Sequence, residues 1–128
     1  MSPLRRFVAI NAFTGIAFGL VLVVAPRFLL SLYGIAGGTT TELLARMFGA
    51  ELIGLNVPAW VARVKPEGEA VWFAVIGHAF AETLLLAISL SAALAGIGNA
   101  MIWSVVAIFA LFSGGNLYFI FSKRVAVS

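Results

Sequence analysis

The stretch AVWFAVIGHAFAETLLLAISL, residues 70–90, is apolar except at His78, Glu82, Thr83 and Ser89. A helix of this length rises about 1.5 Å per residue and so covers roughly 30 Å, the hydrocarbon thickness of a bilayer. The stretch therefore predicts a membrane-spanning helix that carries two titratable side chains in its middle. The rest of the chain repeats the pattern. Of 128 residues, 62% are hydrophobic and 10% charged, against roughly 45–50% and about 25% in soluble domains.

Charges, prolines and glycines mark off four apolar segments, at about 7–25, 42–62, 70–94 and 101–121. Short connections make antiparallel neighbours, so the expectation is one all-α domain over 1–128, an up-down four-helix membrane bundle. Arg5 and Arg6 precede the first segment, but its apolar run exceeds the usual ~7–15 residues of a signal h-region, and no small-x-small cleavage pattern follows. It is read as a retained helix. Arg5, Arg6, Arg63, Lys65, Lys123 and Arg124 lie on one side of the segments and only Arg27 on the other, which predicts both termini in the cytoplasm. The expected location is a bacterial inner membrane.

Between the first two segments, Phe28, Leu29, Leu30, Leu32 and Tyr33 are too apolar for a solvated loop. They predict a short interfacial segment over 26–38. The glycine-rich stretches GIAGG and AGIG are loop punctuation. GIAFG, residues 15–19, is a small-xxx-small pattern, and Gly49, Gly54, Gly114 and Gly115 offer further sites of close helix approach. Trp60, Trp72 and Trp103 fall near segment ends, where indoles anchor at the membrane interface.

The chain contains no cysteine, which excludes disulfides, thiolate metal sites and a cysteine nucleophile. The net charge of +3 comes from residues at segment ends, so topology explains it and no nucleic-acid surface is expected. No phosphate-binding loop or serine triad is present.

Depth along the helices organises the remaining polar residues. Asn11, Asn56, His78 and Asn116, one from each segment, fall roughly 8 to 14 Å below the cytoplasmic boundary. Thr14 and Ser113 are near them, Glu51 and Glu82 lie deeper, near mid-bilayer, and Arg46 is in the outer third. His78 and Glu82, four apart, share a face with Val71, Val75 and Ser89. On the second segment Glu42, Arg46, Gly49, Ile53, Asn56 and Trp60 form a stripe, from which Glu51 departs by roughly 140°. A charge at mid-bilayer costs about 2.5–3.5 kcal/mol, so these groups have to pair, protonate or face a cavity. Arg46, Glu51 and Glu82 are candidates for a compensated triad. Arg46, Glu51, Asn56, His78, Glu82, Asn11 and Asn116 are the candidate ligand-binding residues, with His78, Glu82 and Glu51 the candidate acid–base groups. Against any site stands a purely structural role, an Arg46–Glu82 clasp with asparagines as packing contacts of about 0.6 kcal/mol each.

The runs ARMFG, residues 45–49, and GHAFAE, residues 77–82, together with Arg63, resemble the small four-helix ergosterol-biosynthesis scaffold proteins, which carry A-R-T-F-G and then G-H-x-x-x-E. The similarity covers segments two to four. It implies a non-catalytic membrane platform that tethers sterol C4-demethylation enzymes, and it singles out Arg46, Phe48, Gly49, His78 and Glu82. Met47 replaces the family's threonine, and Glu51 stands where the family tends to have a bulky aromatic. The chain is also similar to DoxX-like small bacterial membrane proteins.

Three functions are weighed. The first is a non-enzymatic scaffold or accessory subunit of a membrane complex, with a membrane-protein partner or a second copy as its contact and an isoprenoid or sterol-like lipid as ligand. The second is a small isomerase or cyclase using His78, Glu82 and Glu51; emopamil-binding-type isomerases, by analogy, also place His and Glu four apart. The third is a chlorophyll- or haem-binding subunit with His78 as axial ligand. A metal held by His78 and the two glutamates has little spacing support and is not expected.

Overall fold

A computed structural model describes residues 2–64 and 68–127, which form helices joined by turns and short irregular segments. Five helices follow one another: α1 (Pro3–Val24), α2 (Pro26–Leu32), α3 (Thr39–Ala62), α4 (Glu69–Leu94) and α5 (Ile102–Val127). Three of them, α1, α4 and α5 over Ile102–Lys123, are long and apolar enough to cross a membrane, which supports the reading of a helical membrane protein. α3 is as long, but Glu42, Arg46, Glu51, Asn56 and Pro58 dilute its apolar character.

Local chemistry sets the helix ends. α1 begins earlier than hydropathy indicates because the Ser2 hydroxyl accepts from the Arg5 N–H and Pro3 occupies the first turn, both favourable at a helix start. α2 and α4 both close by a paired bond pattern beyond their last turns: Ile35 N donates to Leu30 O and Gly34 N to Ser31 O, while Ile97 N donates to Ala92 O and Gly96 N to Ala93 O. This closure needs a left-handed residue, supplied by Gly34 at φ 66° and Gly96 at φ 72°.

The helices pair off. α1 packs chiefly on α3 and α4 chiefly on α5; the two pairs meet through smaller α3–α4, α1–α4 and α1–α5 contacts, while α3 and α5 do not approach each other. α1 and α3 cross at Gly19 and Gly49, where a Cβ on either glycine would come within 2.6 or 2.7 Å of the other's carbonyl oxygen. Gly15 gives room to Asn56 and Gly115 to the Phe7 ring. The small residues of GIAFG thus serve packing within the chain. Gly54 and Gly114, expected to be close contacts, have open space where a Cβ would stand.

Contacts at one end fasten each helix pair, and contacts at the other join the two pairs. Arg5 Nε donates to Arg63 O at 2.8 Å, joining the start of α1 to the end of α3. The Arg63 guanidinium lies 3.7 Å over the Trp60 ring, and the Lys123 ammonium 4.0 Å over Trp72. At the opposite end Asn99, in the α4–α5 turn, donates from its backbone to Tyr33 O at 2.8 Å and from its side chain to Leu32 O at 3.0 Å. Lys65 lies outside the described residues, as does the Arg124 side chain.

The segment expected at 26–38 contains a helix, α2. Its Leu29 is buried with Leu22 and Leu52, while Phe28 and Leu32 remain exposed. Arg27 Nε pairs with Glu42 Oε1 at 2.9 Å and so links α2 to the first turn of α3.

Candidate functional site

On α4 the apolar residues Val71, Val75 and Ala79 share the buried face with His78, Glu82 and Ser89, the stripe that periodicity indicated. That face turns toward α3 on one side and α5 on the other. His78 Nε2 lies 2.9 Å from Asn56 Oδ1 on α3, and His78 Nδ1 lies 2.7 Å from the Ala74 carbonyl oxygen one turn back. Asn56 Nδ2 donates to Leu52 O at 2.8 Å. One turn further along α4, Glu82 Oε2 accepts from Asn116 Nδ2 on α5 at 2.7 Å, and the same amide donates to Phe112 O at 2.9 Å. Asn11 on α1 is a further hydrogen-bonding neighbour of the Glu82 carboxyl. Each of the four long helices thus supplies one or two members of a single polar group.

All five side chains are buried, from 1% exposure at Asn116 to 5% at Asn11 and Glu82. Among the described residues no buried side-chain nitrogen or oxygen lacks a hydrogen-bond partner, as burial of polar groups requires. The bonds around His78 also constrain its protons. Ala74 O can only accept, so Nδ1 carries a hydrogen. A ring with that single hydrogen presents a lone pair at Nε2, facing Asn56 Oδ1, which is also an acceptor. Either the ring carries a second hydrogen on Nε2, or the Asn56 amide turns over to donate and gives up its bond to Leu52 O.

This group borders a cavity of about 80 Å³ lined by α1, α3, α4 and α5. Asn11, Thr14, Asn56, His78 and Glu82 line it as polar residues, and Phe48, Leu52, Leu85, Ile108 and Phe109 are among its apolar walls. The volume is about half of the roughly 150 Å³ that accommodates a benzene ring in an engineered apolar cavity. It suits a small polar group or a few waters.

The structure brings together Asn11, Asn56, His78, Glu82 and Asn116, and it places Arg46 and Glu51 elsewhere. Arg46 is exposed, and its Nη1 donates to Val23 O at 3.0 Å, satisfying one of the carbonyls that the end of α1 leaves unpaired. Glu51 is exposed on the opposite side of α3 and, among the described residues, has no hydrogen-bond or ion-pair partner. The expected Arg46–Glu51–Glu82 triad and the Arg46–Glu82 clasp are therefore both absent. The long, flexible arginine reaches back to its own hairpin, and Glu51 is rotated away from the interior. Among the described residues no three of His, Cys, Asp and Glu stand together as a metal site would require. Ser113 bonds Thr83 at 2.7 Å and is not part of the polar group.

Sequence reasoning missed the apolar walls contributed by Leu52, Leu85, Ile108 and Phe109, since any helix face here is rich in such residues. It also missed the role of Gly15, whose signal was its place in GIAFG on the Asn11 and Thr14 side of α1. Compared with family models, with curated proteins and with solved structures, the chain matches none.

Proposed function

We propose that the protein is a four-helix integral membrane protein whose interior binds a lipid-like molecule, and that it acts as a non-enzymatic accessory or scaffold subunit of a membrane complex. In this reading α3 crosses the bilayer as the fourth span, with Asn56 sheltered against Gly15 of α1 and His78 of α4, and both termini face the cytoplasm of a bacterial inner membrane. The charge distribution at helix ends supports that orientation. The observation that carries the binding role is the cavity: it is walled by apolar side chains and edged by the buried polar residues Asn11, Asn56, His78 and Glu82 of α1, α3 and α4. The accessory role rests on the shortness of the segments joining the helices, which leaves helix faces as the surface for partners.

Mass spectrometry of lipids retained by the detergent-purified protein tests the binding role. A neutral lipid at near-equal molar amounts is expected with the wild type and with the outward-facing Phe80→Trp variant. Leu85→Trp, which fills the cavity, should lose it. Equal retention by all three proteins, or no retained lipid in any, contradicts the proposal.

A second reading, an isomerase or cyclase, is favoured by one observation: His78 and Glu82, separately bonded, border the same cavity, as a proton donor and acceptor acting on one substrate would. Pigment ligation is disfavoured. Both His78 nitrogens are engaged within the protein, and the cavity is far too small for a macrocycle.

A further inference from the structure

A second, larger space adjoins the polar cavity. It has a volume of about 390 Å³ and is lined almost wholly by apolar residues of α1, α2, α3 and α5, including Leu22, Leu29, Leu44 and Ile102. Phe18, Phe48 and Val105 line both spaces, so the two share a boundary made of these three side chains. That boundary lies in the gap between α3 and α5, which do not approach each other. The arrangement places the larger space as an apolar vestibule beside a small polar end chamber.

The chamber restricts what can enter it. At about 80 Å³ it holds a terminal polar atom and a few carbons but no ring system. Among the described residues no guanidinium or ammonium lines it; Arg46 is bonded to Val23 O, and Arg5 and Arg63 are held together at the far end of α1 and α3. A phosphate would therefore meet no cation, and a second carboxylate would be set against Glu82. The groups offered are carboxyl oxygens at Glu82, of which Oε2 already takes Asn116, and amide N–H groups at Asn11 and Asn56. A carboxylate has about four lone-pair sites and an amide nitrogen two hydrogens. A hydroxyl uses both an acceptor and a donor and is the smallest such group that a lipid chain can carry at its end.

We infer that the ligand is a slim neutral lipid ending in a hydroxyl, a long-chain or prenyl alcohol, with its chain in the vestibule and its oxygen among Asn11, Asn56 and Glu82. This rests on the chamber being a ligand site, and it favours a linear isoprenoid over a sterol.

The probe is hexadecanol carrying a mid-chain diazirine, photolysed with the full-length protein in phosphatidylcholine vesicles and mapped by peptide mass spectrometry. Labelling should concentrate on peptides containing Phe48 and Val105. Unlabelled hexadecanol should compete about tenfold better than hexadecanoic acid or hexadecane, the factor expected for about 1.4 kcal/mol from one added hydrogen bond, and better than a sterol, whose rings the chamber has no room for. Val105→Trp should abolish the label, while Leu111→Trp, on the outward face of α5, should keep it. If the acid or the alkane competes as well as the alcohol, the hydroxyl assignment fails while the chamber stands as a ligand site; if the sterol does, the assignment to a slim linear chain fails. Label spread over exposed helix faces and equal in both variants overturns the assignment and the chamber together.

Discussion

His78 is held by bonds to two oxygens, one on its own helix and one on α3, and this sets its response to substitution. Asn56→Ala removes the α3 partner and leaves a buried ring nitrogen facing an apolar wall, at an expected cost of about 1–3 kcal/mol of folding stability. A double-mutant cycle with His78→Ala, measured by unfolding in mixed micelles, should give a coupling near 0.6 kcal/mol and no more than about 1.7. The two glutamates should separate cleanly in the same assay. Glu82→Leu strips a carboxyl bonded to Asn116 and should lower stability by about 1–3 kcal/mol. Glu51→Leu removes an exposed, unpartnered carboxyl and should leave stability unchanged or raise it. Periodicity set Glu51 off the polar stripe of its helix and Glu82 on that of α4, but residue counting yields only depth and periodicity only a face, and neither tells which neighbour that face meets. For α4 the face was legible from Val71, Val75 and Ser89 around His78 and Glu82. For α3, Arg46 looked interior by spacing alone, and only the position of the α1 carboxyl end shows where it is bonded.

At the level of the helices, α1 and α3 meet backbone to backbone at Gly19 and Gly49. Gly49→Ala drives a methyl toward the Gly19 carbonyl and Leu22 and should cost about 1–3 kcal/mol, the usual penalty of overpacking. Gly54→Ala and Gly114→Ala meet open space and should leave the thermal midpoint unchanged. A fall at Gly54 equal to that at Gly49 would place the α1–α3 seam on the other side of α3. The four apolar segments were legible from hydropathy because each long helix is apolar around most of its circumference. Their ends were not: α3 starts at Thr39 and α5 runs on to Val127, in stretches where polar residues continue a helix that hydropathy no longer marks. α2 was legible only as an apolar stretch too oily for a loop, its helical form depending on Pro26 at the first turn and Gly34 at the close.

For the whole molecule, the absence of cysteine makes topology directly accessible. With α3 as a fourth span, single cysteines at Thr40 and Asn99 should react with an impermeant maleimide from one side of the membrane, and those at Ser2 and Val64 from the other. Thr40 and Val64 reacting from the same side would remove α3 from the bilayer. The central claim is that Asn11, Asn56, His78, Glu82 and Asn116 meet one another inside the bundle and not acyl chains. The chain's single histidine gives that claim a unique reporter. Solid-state NMR of the ¹⁵N,¹³C-histidine-labelled protein in bilayers should show both His78 nitrogens hydrogen-bonded, their shifts moved by Asn56→Ala, and no ring cross-peaks to lipid methylenes. Strong cross-peaks to acyl chains, with shifts indifferent to Asn56→Ala, would contradict it.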